Sequence, residues 1–146
     1  MKICLDTNVV LDALLENRPP RAMKLWDMLR DLGTKPRMPA HAVTTIHYLL
    51  SKKHGKAKAL DETKRLLQRV IVLPVSSKVV SAAAERGWED FEDAVVLHAV
   101  IAARCDWLVT RDERFVRDCK DLLKPTVLSP DEAIFALQQR LWLRQV

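Results

Sequence analysis

The stretch from Trp88 to Phe115 constrains the fold more than any other part of this sequence. Within it, Ala94 to Ala103 is apolar apart from His98, which predicts a helix that is buried on several sides. The next segment, Asp106 to Thr110, is a short apolar run that predicts a buried strand. A buried helix that leads directly into a buried strand is typical of a parallel sheet covered by helices on both faces.

The same alternation of short apolar segments and amphipathic segments continues along the chain. Prolines in the second strand candidate restrict it to an edge of the sheet or to the ends of the strand. We therefore predict an α/β fold, a three-layer α/β/α sandwich around a parallel sheet of about five strands, in a single domain over residues 1–146. The strand candidates are Lys2–Leu5, Lys35–Pro39, Val70–Val75, Asp106–Thr110 and Thr126–Leu128.

Helical periodicity and capping residues place the helices between these strands. Ser129 to Glu132 has the pattern of a capping box with proline at the first helical position, which predicts the start of the last helix. Besides the apolar one, a helix capped by Ser76 or Ser77 is predicted to end at Arg86, and the other predicted helices are Val9–Glu16, Pro20–Leu32, Ala40–Lys53, Lys56–Arg69 and Arg114–Leu123.

Several classes of protein are excluded by simple features of the chain. The N-terminus reaches Asp6 before any apolar region develops, which is unlike a signal peptide, and no apolar run approaches the roughly 20 residues of a membrane span. The three cysteines are scattered and have no spacing for a zinc site or a disulfide framework. We expect a cytoplasmic protein with no membrane contact.

Three aspartates occupy positions where they are expected to converge. Asp6 and Asp112 follow apolar strands, and Asp93 lies in the first turn of the most apolar helix, three residues after Asp90. Ligands bind at the carboxyl ends of the strands in open α/β sheets, so Asp6, Asp93 and Asp112 are candidate ligands at that edge. Converging carboxylates without histidine or cysteine spacing favour a hard cation, Mg²⁺ or Mn²⁺.

Each of these acids also has a purely structural interpretation. Asp90 and Asp93 fit a capping box, in which Asp90 is the N-cap and Asp93 reaches back from the third position. Asp6 and Asp112 are placed to cap the helices that follow them. Convergence at a deeply buried helix start favours the metal interpretation, because buried carboxylates are costly unless protons or a cation neutralise them.

A run of cations lies in the middle of the chain. Lys52 to Arg69 carries seven Lys and Arg side chains against two acids, and the whole chain has a net charge of +5. Such a run is either a solvated helix face or a surface that holds the phosphates of a polyanion.

Three short motifs together resemble the PIN-domain family of Mg²⁺-dependent ribonucleases, in particular its bacterial VapC-type toxins. The resemblance extends over essentially the whole chain. It implies an α/β/α sandwich that hydrolyses RNA phosphodiester bonds with acid-bound Mg²⁺ or Mn²⁺. The motifs are Leu5-Asp6-Thr7-Asn8, Asp90-Phe91-Glu92-Asp93-Ala94 and Val109-Thr110-Arg111-Asp112.

The resemblance also assigns roles to single residues. It implies that Asp6, Asp93 and Asp112 are metal ligands, directly or through water, and that Asp90 is a further catalytic acid that holds an outer water or a second ion. Thr7, Asn8 and Thr110 would orient the ligands by hydrogen bonds.

One departure from the family pattern concerns the segment Ala40–Lys53. Many members have a glutamate in this helix, whereas here the segment Thr44 to Tyr48 contains no acid. His47 stands near the expected position and has two interpretations, a polar group facing the site or an ordinary, partly buried histidine. The departure puts a two-metal site in question.

Two functions therefore follow from the sequence. The first is a metal-dependent endoribonuclease, by resemblance the toxin of a toxin–antitoxin pair, with a small antitoxin partner and a homodimeric assembly. Lys52, Lys53 and Arg111 are its candidate RNA contacts. The alternative is a catalytically weak PIN-like module that binds RNA or a protein partner.

Overall fold

A computed structural model describes residues 1–15 and 20–146 of the chain. The described residues form a sheet of five parallel strands, which confirms the predicted fold class. Each strand is three residues long, shorter than most of the predicted segments, because the chain turns into a loop or a helix directly after the paired residues. The strands are β1 (Ile3–Leu5), β2 (Arg37–Pro39), β3 (Ile71–Leu73), β4 (Trp107–Val109) and β5 (Thr126–Leu128), in the spatial order β3-β2-β1-β4-β5.

Helices connect and cover these strands. The first begins two residues earlier than predicted, because the Asp6 carboxylate accepts a hydrogen bond from the Thr7 amide and starts it there; Glu16, its predicted end, lies outside the described residues. The helix predicted to reach Leu123 already ends at Asp118. The helices are α1 (Thr7–Leu14), α2 (Pro20–Asp31), α3 (Ala40–His54), α4 (Lys56–Arg69), α5 (Ser77–Arg86), α6 (Phe91–Ala102), α7 (Glu113–Asp118) and α8 (Pro130–Gln145).

Alternate residues of the central strands enter different cores. Ile3 and Leu5 of β1 pack with α1, α2, α3, α4 and α8, whereas Cys4 between them packs with α6 and α7 on the other face. In β4, Val109 packs in the same core as Ile3 and Leu5, and Leu108 packs in the same core as Cys4. Both faces of the sheet are therefore buried, as the continuous apolar strands predict. The predicted capping box of Ser129 and Glu132 is also present at the start of α8.

The neighbouring strands β1 and β4 fix the position of the candidate site. Leu5 pairs with Val109, so both strands end at the same level, and the Asp6 amide donates to the Val109 carbonyl at 2.9 Å. Asp6 and Thr110 therefore lie side by side at the carboxyl edge of the sheet. None of the helices among the described residues has the length and apolarity that crossing a bilayer requires.

Candidate metal centre

Asp6 is the most deeply buried acid of the site, with only 4% of its surface exposed. Its Oδ2 atom accepts hydrogen bonds from the Thr110 hydroxyl at 2.8 Å and from the Asn8 side-chain amide at 3.4 Å. Its Oδ1 atom accepts from the Thr7 main-chain amide at 2.8 Å. Thr7 therefore contacts Asp6 through its backbone, and its hydroxyl has no hydrogen-bond partner among the described residues.

Thr110 and Asn8 also fix the loop between β4 and α7. The Thr110 hydroxyl accepts from the Asp112 amide at 3.1 Å, and the Asn8 side-chain oxygen accepts from the Arg111 amide at 3.2 Å. The same two side chains thus hold Asp6 and the loop that carries Asp112. The structure brings Asp6 and Asn8 together with Thr110 and Asp112, although about a hundred residues separate the two pairs in the sequence.

The structural interpretation of the acids explains Asp90 and one oxygen each of Asp6 and Asp112. Asp90 caps α6 by accepting from the Asp93 amide at 3.0 Å, and Oδ1 of Asp112 accepts from the Arg114 and Phe115 amides at the start of α7. Asp93 does not reach back to complete a capping box: its carboxylate has no hydrogen bond or ion pair with any described residue. Half-buried and unpaired, it is the acid that capping does not explain.

Burial and neighbouring acids act together on Asp93. Burial, followed by the charges of Asp6, Asp90 and Asp112, raises the pKa of Asp93 to about 8. Burial also raises the pKa of Asp6, against the opposing effect of its hydrogen bond from Thr110. A bound cation would relieve this repulsion, and the oxygen-only donor set fits Mg²⁺ or Mn²⁺.

The acids line a cleft with a volume of about 250 Å³. Asp90, Asp93 and Asp112 form one part of its wall and Arg114 another, while Asp6 lies behind them. The indole of Trp88 packs edge-on against Phe115, with 5.5 Å between ring centroids, and both rings line the cleft. The cleft leaves space for the water ligands that Mg²⁺ usually keeps and for a phosphate.

Two residues of this region were not predicted from the sequence. Glu92 lies beside Asp90 and Asp93, and one carboxylate oxygen from each of the three falls within 4.8 Å of the others. His41, in the first turn of α3, places its Nε2 atom 3.2 Å from Glu92 Oε1. The position of Glu92 next to Asp93 in the sequence indicates that Glu92 lies near the site. The position of His41 depends on its contact with Glu92, 51 residues away, which no local pattern indicates.

Of the two interpretations of His47, the contacts of its ring match the partly buried histidine. Its Nδ1 atom lies 3.1 Å from the Thr63 hydroxyl of α4, and its Nε2 atom lies 3.4 Å from the Ser51 hydroxyl. Both ring nitrogens are therefore used where α3 packs against α4. His47 is the partly buried histidine of the second interpretation.

Lys52 and Lys53 lie in the last turn of α3, at the opposite end of the helix from His41. The helical rise separates Lys52 from His41 by roughly 17 Å along the axis. The two lysines therefore do not adjoin the acidic cleft, and an RNA strand would have to extend along α3 to reach both.

Arg111 is engaged inside the protein. Its Nε atom forms an ion pair of 2.8 Å with Oδ2 of Asp12, whose side chain is 2% exposed. This pair ties the loop after β4 to α1 and limits the freedom of Arg111 to hold RNA.

Replacing Arg111 with alanine is expected to destabilise the fold. The change would leave the Asp12 charge buried without this partner, and we expect a loss of about 1–3 kcal/mol in the free energy of unfolding, discounted because the Arg111 side chain is 35% exposed. Arg114→Ala is the matched control, since the Arg114 side chain is 59% exposed. Urea unfolding of both variants measures the difference, and equal losses would contradict a structural role for Arg111.

The raised pKa of Asp93 predicts how stability depends on pH without metal. Folding favours protonated Asp93, so its contribution is most favourable below the ordinary carboxyl range and is lost as the pH rises to about 8. In EDTA, we expect the melting temperature to fall between about pH 4 and pH 8 and then to level off. Asp93→Asn should flatten this profile, and Mn²⁺ should restore stability at the alkaline end for the wild type. An unchanged profile in Asp93→Asn would show that another group causes the decline.

Comparison with known protein families supports the fold. The sequence profile described as the PIN domain matches residues 2–114, which include Asp6, Asp93 and Asp112. The chain belongs to the PIN-domain family. No curated protein sequence matches it at a significant level.

Solved structures share the PIN-domain fold at low sequence identity. A VapBC2 structure from Rickettsia felis, bound to a promoter DNA fragment, has 19% identity and a TM-score of 0.65 and covers 88% of this chain and 97% of its own. A toxin–antitoxin complex from Klebsiella pneumoniae has 17% identity and a TM-score of 0.65, covering 89% and 98%. VapC20 from Mycobacterium tuberculosis, described as a toxin that cleaves the sarcin-ricin loop, has 17% identity and a TM-score of 0.63, covering 80% and 95%.

Proposed function

We propose that this PIN-domain protein is a Mg²⁺- or Mn²⁺-dependent endoribonuclease and the toxin of a toxin–antitoxin pair. The observation that carries the proposal is the unpaired Asp93 carboxylate, which suits a cation ligand because burial and the like charges of Asp6, Asp90 and Asp112 disfavour its ionised form without a counter-charge. Family membership supports a nuclease-type enzyme, and the described activity of the similar toxin from M. tuberculosis supports RNA as the substrate.

In this proposal Asp6, Asp93 and Asp112 hold the cation. A divalent cation bound there supplies charge neutralisation at the scissile phosphate and lowers the pKa of an attacking water. Thr110, Asn8 and the Thr7 amide keep Asp6 oriented toward it. Hydrolysis in line would leave a 5′-phosphate and a 3′-hydroxyl.

Other acids and cations near the cleft assist in binding. Asp90 is the further acid that holds a water or a second ion, while its Oδ1 atom also caps α6. Arg114 lines the same cleft and is placed to contact a phosphate beside the scissile bond. Lys52 and Lys53 would bind phosphates farther along the strand, so cleavage at low RNA concentration should weaken as salt rises.

We further propose a small antitoxin partner, a homodimer and a cytoplasmic location. The structures from R. felis and K. pneumoniae are toxin–antitoxin complexes, which supports an antitoxin for this chain. On α8, Trp142 and Leu143 are more than 60% exposed and offer apolar surface for either association.

Cleavage of a mixed pool of structured RNA by the purified protein tests this function. The incubations contain Mg²⁺, Mn²⁺ or EDTA, and the product ends are mapped by their susceptibility to a 5′-phosphate-dependent exonuclease. We expect cleavage only with metal and 5′-phosphate ends. Cleavage that persists in EDTA would contradict the proposal.

A binding module without catalysis is the second candidate. It is favoured by one observation, that α3 places a histidine, His41, beside Glu92 and carries no acid of its own. RNA retention without cleavage in either metal would establish this candidate and exclude the first.

A further inference from the structure

One exposed face of α3 leads from the acidic cleft to the basic end of the helix. Its residues are His41, Thr45, Tyr48 and Lys52, spaced by four, three and four positions, which places them on one side of an α-helix. His41 lies beside Glu92, which is grouped with Asp90 and Asp93, and Lys52 is in the last turn. This row, which we call the α3 face, spans roughly 17 Å.

Tyr48 is the central feature of the α3 face. Its side chain is 56% exposed, although α3 packs against both α1 and α4. The Lys52 ammonium lies 4.6 Å from the centroid of its ring, so an aromatic plane and a cation are presented together.

The charge around Tyr48 is uncompensated. Lys52, Lys53 and Lys56 are exposed, and none of them forms an ion pair with the described residues. The ligand that suits a cationic surface with an exposed aromatic ring is a polyanion with planar groups.

We propose that the α3 face is a binding track for single-stranded RNA, with one base stacked on Tyr48 and the adjacent phosphates held by Lys52 and Lys53. The inference rests on the proposed ribonuclease function and extends it, because it states how the substrate reaches the acids. A duplex cannot offer an unstacked base to Tyr48, so the track selects single strands over duplexes.

The geometry gives the track a direction. A strand that contacts Lys52 and then Tyr48 continues past the exposed Thr45 toward His41 and Glu92, and Glu92 lies next to Asp90 and Asp93. Lys52 and Lys53 do not adjoin the acidic cleft, but along this track they contact the same RNA strand.

The test measures RNA affinity in EDTA, so that binding is separated from cleavage. The probes are a short fluorescent single strand of mixed sequence and a blunt duplex of the same length, read by fluorescence anisotropy. Tyr48→Ala should weaken single-strand binding about tenfold, and Tyr48→Phe should not, because the ring is kept. Lys52→Ala should reduce the slope of log affinity against log salt by about 0.7.

Matched controls lie on other surfaces. Leu49→Ala removes an exposed apolar side chain from the adjacent face of α3, and Lys24→Ala removes an exposed charge from α2. Neither should change the affinity for the single strand by more than about twofold. Tyr48→Ala should leave duplex binding unchanged, and thermal unfolding checks that every variant is folded.

The outcomes distinguish this inference from the proposed nuclease. RNA binding that depends on Tyr48, without cleavage in Mg²⁺ or Mn²⁺, would support the track and overturn the nuclease. Metal-dependent cleavage with unchanged binding in Tyr48→Ala would overturn the track alone. A dimer that dissociates in Tyr48→Ala while RNA affinity stays constant would also overturn it, since the face would then be a self-association surface.

Discussion

Replacing Asp93 with asparagine is expected to lower the rate of metal-dependent RNA cleavage by more than roughly 100-fold. Asp93 is the acid whose carboxylate is unpaired among the described residues and whose pKa is raised to about 8 by burial and by its acidic neighbours. Asparagine keeps the shape of the side chain and removes the negative charge, so the effect isolates cation binding. The measurement is the initial rate of cleavage at saturating Mn²⁺.

Glu89→Gln is the matched control for Asp93→Asn. Glu89 lines the same cleft, and its side chain is 83% exposed and paired with Arg114. We expect this variant to retain most of the activity. Equal losses in the two variants would mean that overall negative charge in the cleft, and no particular carboxylate, is required.

Replacing Thr110 with valine is expected to reduce both cleavage and the affinity for Mn²⁺ by about 10- to 100-fold. The Thr110 hydroxyl donates to Asp6 at 2.8 Å and accepts from the Asp112 amide at 3.1 Å. Valine has nearly the same shape but breaks both contacts, which frees Asp6 to rotate and loosens the loop that carries Asp112. Titration with Mn²⁺ alongside cleavage measures the two effects.

Thr126→Val separates this effect from a general loss of stability. Thr126 is exposed at the start of β5, away from the acids, so its variant should bind Mn²⁺ like the wild type. Wild-type Mn²⁺ affinity in Thr110→Val would show that the hydrogen bonds to Asp6 do not position the metal ligands.

The sequence predicted the sheet and its acidic edge because both depend on local patterns. The apolar segment Ala94–Ala103 and the strand after it sit in the structure as expected, with Leu97 and Leu108 in the same core. Acids that follow strands in a parallel sheet meet at one edge, and Asp6 and Asp112 are joined there through Thr110.

What the sequence could not decide concerns the faces and directions of helices. His47 had two interpretations, and the packing of α4 on α3 decides between them, because the Thr63 hydroxyl lies 3.1 Å from its ring nitrogen. Lys52 and Lys53 form a conspicuous run in the sequence, yet the course of α3 places them far from the cleft. His41 and Glu92 meet only through tertiary packing, which periodicity and spacing do not reveal.

Calorimetric titration with Mn²⁺ in the absence of RNA tests most directly whether Asp6, Asp93 and Asp112 form a divalent cation site. The wild type is compared with Asp93→Asn near pH 8, where protons no longer saturate Asp93. We expect saturable binding by the wild type, accompanied by proton release, and loss of that binding in Asp93→Asn. Equal binding isotherms for the two proteins would contradict a cation site at these acids.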